Sequence, residues 1–279
     1  MNFDLFERNF QSASGPVFIL ASGPSAANFP LEQFPSIPVI AMNGSILKCE
    51  AGAVRPTFYL CDDPSFVEAR PMLAAKGVDQ AACTAMTADC YEQLASLVPE
   101  CLEARHLYLM SRLNRRNRRA IMSDKRFAWS IRKDPHLHSH FSLLHAKPNR
   151  VGFSTNMAKG YFGSRTIPFA GLQLACHLGF NRVFLLGVDL NPSAGRFYEQ
   201  GDSALPSTLD RDYEDYILPS FRFMSERIVA PGRFEVFNLS NNSRLPASIV
   251  PRLSLAELHA WVGESTNDVS VLARGADSH

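Results

Sequence analysis

Residues Phe18-Ile-Leu-Ala-Ser-Gly-Pro-Ser25 run from continuous apolar side chains straight into a Ser-Gly-Pro-Ser turn. A strand buried on both faces reads as an unbroken apolar run, as in a parallel sheet covered by helices. The glycine lets the backbone approach closely whatever lies beyond the strand. Where such a turn opens into a helix, orphan amides and the helix dipole suit a phosphate. Ser25 is placed to cap a short Ala26-Ala27-Asn28 turn that Pro30 limits. The spacing is neither the dinucleotide fingerprint nor the P-loop, and no Lys follows to neutralise a triphosphate. A nucleotide with one phosphate fits this turn better than NAD or ATP. An ordinary strand-to-helix turn is the alternative.

Similar short apolar runs, bounded by Gly, Pro, Asn or Asp, recur at Val17–Ala21, Pro38–Met42, Thr57–Cys61, Leu107–Met110, Val183–Gly187 and Phe234–Leu239. Between Ile167 and Gly179 the apolar spacing becomes helical, and Gly179 stands where a left-handed C-cap belongs. Ser254-Leu-Ala-Glu257 has the capping-box pattern of a last helix. Strands alternating with helices predict an α/β fold: a Rossmann-like, mostly parallel sheet with helices on both faces. Residues 111–150 are rich in Arg, Lys and His and read as a small basic lid or insertion within a single domain over 1–262. From Gly263 the chain is small and polar, the composition of a disordered tail.

Ligands of open α/β sheets bind outside the carboxyl ends of the strands, which directs attention to five strand-end segments. These are Ser22-Gly23-Pro24-Ser25, Asn43-Gly44-Ser45, Cys61-Asp62-Asp63-Pro64-Ser65, Gly187-Val188-Asp189 and Arg196-Phe197-Tyr198. Asn43 offers a donor and an acceptor to a base or ribose, or is simply a turn residue before Gly44. Asp62 and Asp63 are adjacent, so on an extended strand they face opposite ways. One can serve as a general base or hydrogen-bond acceptor while the other caps the following helix. Asp189 ends the most apolar strand, where a buried carboxylate needs a partner; it orients a catalytic loop or caps a turn. Arg196 offers a planar fork to a phosphate, and the Tyr198 hydroxyl can donate to a departing one.

Composition excludes several classes. A net charge of +1 exerts no global pull on nucleic acid. The six cysteines form no CxxC pair and lack histidine spacing for zinc, as free thiols of a reducing compartment would. The first residues have acids and no long apolar core, unlike a secretory signal, and no run approaches the roughly twenty apolar residues of a membrane span. A cytoplasmic protein is expected. The local exception is Arg112-Leu-Asn-Arg-Arg-Asn-Arg-Arg119, five arginines in eight residues without an acid. Such a run repels itself unless an anion is near, which suits anionic lipid headgroups, a phosphorylated saccharide or nucleic acid. His136, His138 and His140 alternate nearby, without the carboxylates or cysteines of a metal site, and read as surface residues.

The Gly-Pro-Ser turn, the Asn43 strand end, the Phe58-Tyr59 strand and Leu178–Asp189 resemble bacterial sialyltransferases, which use a cytidine monophosphate sugar. A much closer resemblance is to the lipopolysaccharide core-biosynthesis transferases that add a third Kdo (3-deoxy-manno-octulosonic acid). It runs through Phe18–Pro30, Ile40–Ser45, Phe58–Asp63, Lys125–Ser130, Lys147–Ser154, Lys159–Gly163, Arg196–Glu199 and Ser240–Pro246. The resemblance implies a Kdo transferase with CMP-Kdo as donor and the lipopolysaccharide inner core as acceptor. It would need no metal or other cofactor, bind no nucleic acid, and touch the inner face of the inner membrane. It implies a cytidine nucleotide against Ser22, Gly23, Pro24 and Ser25, with Asn43 and Asp189 near it. Arg196 and Tyr198 would face the leaving phosphate, joined by the Gly-Pro-Ser amides, while the base is open among Asp63, Asp210, Asp212 and Glu199, of which Asp63 is taken as the catalytic carboxylate. The sialyltransferases take a histidine base after the tyrosine loop, whereas this chain has no His between His177 and His259. A sialyltransferase-like enzyme with another CMP-nonulosonate donor, or a non-catalytic polyanion-binding module, are the rival readings.

Overall fold

A computed structural model of the protein describes residues 4–102, 106–113, 123–142, 151–199 and 209–262. Its strands are β1 (Pro16–Leu20), β2 (Val39–Met42), β3 (Phe58–Cys61), β4 (Cys83–Thr87), β5 (Leu107–Met110), β6 (Leu137–Ser139), β7 (Gly152–Ser154), β8 (Arg182–Leu186) and β9 (Glu235–Asn238). Seven of them form one sheet in the order β5-β4-β3-β2-β1-β8-β9. Every pairing in it is parallel. The expected α/β architecture is therefore present, and all six expected strands lie in this sheet.

The continuous apolar runs reflect burial on both faces. Val17, Ile19, Ile40, Met42 and Leu60 join one core cluster with Phe169, Leu172 and Phe221. Their sequence neighbours Phe18, Leu20, Val39, Ala41, Tyr59 and Cys61 join the other, beneath the helices Pro71–Gln80 and Ala88–Leu97. Strand β4 was absent from the expected set because Cys83-Thr-Ala-Met-Thr87 has threonines and small residues in place of a run of Val, Ile or Leu. Thr84 is nevertheless buried, its β-branched side chain suiting an inner strand.

The helix Ile167–Leu178 ends as expected, with Gly179 at φ 100°, ψ 8° accepting the left-handed turn that a side chain would strain. The Ser254–Glu257 capping box is also formed: the Ser254 N–H donates to the Glu257 carboxylate at 2.7 Å and the Glu257 N–H to Ser254 Oγ at 3.2 Å. The expected turn at Ala26–Asn28 is corrected. Pro24–Ala26 form one short 3-10 turn with Gly23 in the capping position, so Ser25 lies inside it.

Within the basic segment, Ser123 caps the helix Asp124–Ile131, and β6 pairs antiparallel with β7. Ile131, Leu137 and Phe162 form a small separate cluster there with Leu113 and Phe127 packed against it. Arg115, Arg116, Arg118, Arg119, His145 and the tail from Gly263 lie outside the described residues. Among the described residues no helix is long and apolar enough to cross a membrane, no group of three or more His, Cys, Asp or Glu is arranged for a metal ion, and the six cysteines are free.

Candidate active site at the carboxyl edge of the sheet

The chain winds outward from β1 to β5 and then returns to lay β8 on the other side of β1. This reversal makes the carboxyl ends of β1 and β8 the topological switch point, where an open α/β sheet parts to admit a ligand. The Ser22–Ser25 turn follows β1 there, and Gly187-Val188-Asp189 follows β8. The two are stitched together: the Gly23 N–H donates to the Gly187 carbonyl at 2.8 Å, and the Ser25 N–H to Asp189 Oδ2 at 2.9 Å. A Cβ on Gly23 would lie 2.5 Å from both Asp189 Oδ2 and the Gly187 oxygen, so only glycine fits. One expectation changes here. The Gly23 and Ser25 amides are occupied within the protein and Pro24 has none, so the Gly-Pro-Ser amides are not open to an incoming phosphate.

The segment after β9 closes over the same point. Ser240 Oγ lies 2.7 Å from Ser25 Oγ, Ser243 Oγ donates to the Val188 carbonyl at 2.6 Å, and the Arg244 N–H donates to the Asp189 carbonyl at 2.9 Å. Ser240 belongs to the Ser240–Pro246 motif, yet its sequence alone does not say that it touches a turn 215 residues away. Beyond this segment a cavity of about 570 Å³ is lined by Asn191, Pro192, Ser193, Asp210 and Arg244.

On the other flank, Asn43 follows β2 in a left-handed conformation, φ 48°. The Arg196–Glu199 loop folds over it, held by the Phe197 N–H on the Ser22 carbonyl at 3.0 Å. The Tyr198 ring lies flat against Gly44, where any Cβ would fall inside the ring. Burial pushes the Tyr198 phenol up to about 12, against the opposing pull of Arg196, so it stays a proton donor at neutral pH. Its hydroxyl lies beside the Ser22 side chain and the Gly44 N–H without a well-formed bond to either. Arg196 is ion-paired with Glu199 at 2.8 Å, and the Glu199 side chain is only 2% exposed.

Three buried atoms around this turn have no hydrogen-bond partner: Asn43 Oδ1, Tyr198 Oη and Asp189 Oδ1. Asp189 accepts the Ser25 N–H with one oxygen and leaves the other unmatched, while the turn at Asn191-Pro192 is capped by Asn191 itself, whose Oδ1 accepts the Ser193 N–H at 3.2 Å. Native proteins pair nearly all such groups, so three unmatched atoms on the segments flanking one turn set this part of the sheet edge apart.

The aspartates after β3 divide their duties. Asp63 caps the helix Pro64–Ala69, its Oδ1 accepting the Ser65 N–H at 3.1 Å. Asp62 instead receives Arg112 Nη2 and the Tyr161 hydroxyl on Oδ2, each at 2.9 Å. Arg112 was expected in an exposed anion-binding run; it folds inward, its side chain 23% exposed. Burial works against its charge, but Asp62 and Tyr161 outweigh that and raise its pKa. Tyr161 is driven upward by burial and then by Asp62, so it too remains a phenol.

Residues 4–256 match the family described as "3-deoxy-D-manno-octulosonic acid transferase WaaZ". The chain is 29% identical to a probable 3-deoxy-manno-octulosonic acid transferase of Escherichia coli (strain K12), over 88% of this chain and 85% of that protein. Against a protein of the same description from Salmonella typhimurium (strain LT2) the identity is 30%, over 86% of this chain and 87% of that one. Among solved structures, a MAf glycosyltransferase from Magnetospirillum magneticum AMB-1 aligns with 88% of the chain at 15% identity and a TM-score of 0.47, the chain spanning 35% of its length. With a switch-point site on a parallel sheet and a family match along almost its whole described length, the chain belongs to the 3-deoxy-D-manno-octulosonic acid transferase WaaZ family.

Proposed function

We propose that this transferase moves Kdo from CMP-Kdo to the lipopolysaccharide inner core, working as a peripheral protein at the inner face of the inner membrane. The observation that carries the reading is the trio of unmatched buried atoms around the Gly-Pro-Ser turn. Each costs roughly 1–3 kcal/mol when left unpaired, a penalty that a ligand rich in donors and acceptors removes. The nucleotide rests against Ser22, Gly23, Pro24 and Ser25, with the Asn43 amide and the free Asp189 oxygen reading its base and ribose.

In the reaction the bond from the anomeric carbon to the phosphate oxygen breaks, and the departing CMP gains negative charge. Arg196 and Tyr198 stabilise that charge, which exists fully only as the bond breaks. Asp63 is anchored through Oδ1 by its own helix, and its second oxygen takes the proton of the attacking hydroxyl. The scheme assigns charge neutralisation to side chains and calls for neither a metal nor another cofactor, nor for nucleic acid as a partner. Arg115, Arg116, Arg118 and Arg119 hold the phosphorylated acceptor near the anionic leaflet, each contributing on the order of 1 kcal/mol.

The test is CMP release by the purified protein with CMP-Kdo and with CMP-sialic acid, each beside a core acceptor. Release with CMP-Kdo, at least about tenfold faster, supports the reading. Equal rates support a broader CMP-nonulosonate enzyme. Tight binding of lipopolysaccharide with no release from either donor identifies a binding module and overturns the reading.

A further inference from the structure

The Asp62–Arg112–Tyr161 cluster lies at the same carboxyl edge as the switch-point turn and has no part in the scheme above. It joins three distant segments: the end of β3, the residue two past β5, and the loop entering the helix Ile167–Leu178. Arg112 donates from Nε to the Tyr161 hydroxyl at 3.1 Å. Its Nη2 donates to Asp62 Oδ2 at 2.9 Å and to the Asp62 carbonyl at 3.2 Å. That leaves Nη1, whose donors meet no acceptor among the described residues. The guanidinium is enclosed enough to hold one plane, yet its side chain remains 23% exposed.

The surroundings are shaped to keep it there. Gly163 lies under the arginine stem, and a Cβ at that position would come within 2.8 Å of Arg112 Cδ. The loop carrying Tyr161 is pinned by Gln173, which is fully buried. Its Oε1 accepts the Ser154 and Phe162 N–H groups, both at 2.9 Å, and its Nε2 donates to the Phe162 and Phe169 carbonyls. A fork fixed in this way has already lost its rotational freedom and spends little on binding.

We propose that Arg112 is the residue that recognises the sugar's carboxylate, presenting Nη1 to it, with Asp62, Tyr161 and Gln173 as positioning residues. This rests on the proposed Kdo transfer and names the chemical group that selects its donor. In a 2-ulosonic acid the carboxylate is bonded directly to the anomeric carbon, so its receptor must stand beside the reacting centre. Asp62, which holds the fork, is the chain neighbour of Asp63, the proposed base. Strands lie about 4.8 Å apart, so the end of β3 stands roughly 10 Å from that of β1, the reach from a nucleotide to its sugar. Asp62 engages the guanidinium only at Nη2, through one carboxylate oxygen and its carbonyl, leaving the Nη1 edge positive and suited to a carboxylate.

Isothermal titration of the full chain tests this with free Kdo, its methyl ester and CMP, on the wild type, Arg112→Gln, Arg112→Lys and Gly163→Ala, with a urea midpoint for each. The wild type should prefer the acid over the ester roughly 10–100-fold, the worth of one charge-assisted hydrogen bond. Both arginine variants should lose that preference while binding CMP as before, since Lys cannot reproduce the fork. No binding of the acid by the wild type, equal affinity for acid and ester, or a preference that survives in folded Arg112→Gln overturns the proposal. Should the arginine variants fail to fold, Gly163→Ala decides: it keeps the ion pair but displaces the guanidinium. Its preference should fall severalfold, and an unchanged one overturns the proposal. Failure of the wild type to bind CMP, with acid preference intact, instead removes the donor reading and leaves the carboxylate hook standing.

Discussion

The two ends of the site are built from different materials. At the switch point, backbone and small residues make the surface: Gly23 against Asp189, Gly44 under Tyr198, Ser25 against Ser240. At the β3–β5 end, long side chains from three segments meet in one cluster, Asp62, Arg112 and Tyr161. The first end is defined by excluded volume, because a single added carbon collides with its neighbours. The second is defined by charge, because an arginine buried with a carboxylate tolerates repacking but not loss of its partner. The proposed CMP-Kdo donor, spanning both, would be gripped by shape at its nucleotide and by charge at its sugar.

The largest expected effect falls at the charged end. Asp63→Asn preserves the helix cap, since Asn caps as well as Asp, but removes the base. Turnover should drop roughly 10²–10⁴-fold with an unchanged melting temperature. Unaltered turnover would move the base elsewhere and break the division drawn above. Next, Tyr198→Phe and Arg196→Ala should each lower kcat by about a hundredfold with little change in KM, because in the proposed reaction their charge partner develops only as the phosphate departs. Steady-state kinetics showing a KM effect alone would make the loop a ground-state binding element.

Acid separates loss of fold from loss of site. Burial, chiefly, pushes the His177 imidazole down to about 4, far from either end of the site. The folded state therefore binds fewer protons than the unfolded chain between pH 4 and 6.5. Stability from this group is complete above pH 6.5 and is lost as pH falls toward 4, by about 3 kcal/mol in all. Urea midpoints across that range, with His177→Gln flattening the slope, check the assignment; an equal slope in both proteins would refute it. The smallest effect is steric. Gly23→Ala should destabilise by about 1–3 kcal/mol and weaken CMP, whereas an unaltered midpoint and CMP affinity would show the turn to be looser than its contacts imply.

The same contrast governs what could be read from the chain before folding. The switch-point end is local: an apolar run, Ser-Gly-Pro-Ser, Asn-Gly after one strand and Gly-Val-Asp after another are all visible within a few residues. The parallel sheet was visible for the same reason, each strand carrying its own apolar run and its own stop. What escaped was non-local or compositionally quiet. Strand β4 hides behind its threonines. Tyr161 lies in the Lys159–Gly163 motif, whose sequence gives it no role, and Arg112 looks like the first member of a basic run until β3 supplies its partner fifty residues upstream. Period-2 alternation already puts Asp62 on the face of Leu60 and away from Asp63, but it cannot say who waits there. The amides of the Gly-Pro-Ser turn were misread for a related reason, since their acceptors, Gly187 and Asp189, arrive more than 160 residues later.

The proposed reaction transfers one Kdo residue to the inner core at this edge of the sheet. Mass spectrometry of core oligosaccharide, from cells carrying the intact protein, lacking it, or carrying Asp63→Asn, measures that product directly. An increment of one 3-deoxy-octulosonate residue is expected with the intact protein, and its absence from the other two. Identical core masses in all three would contradict it.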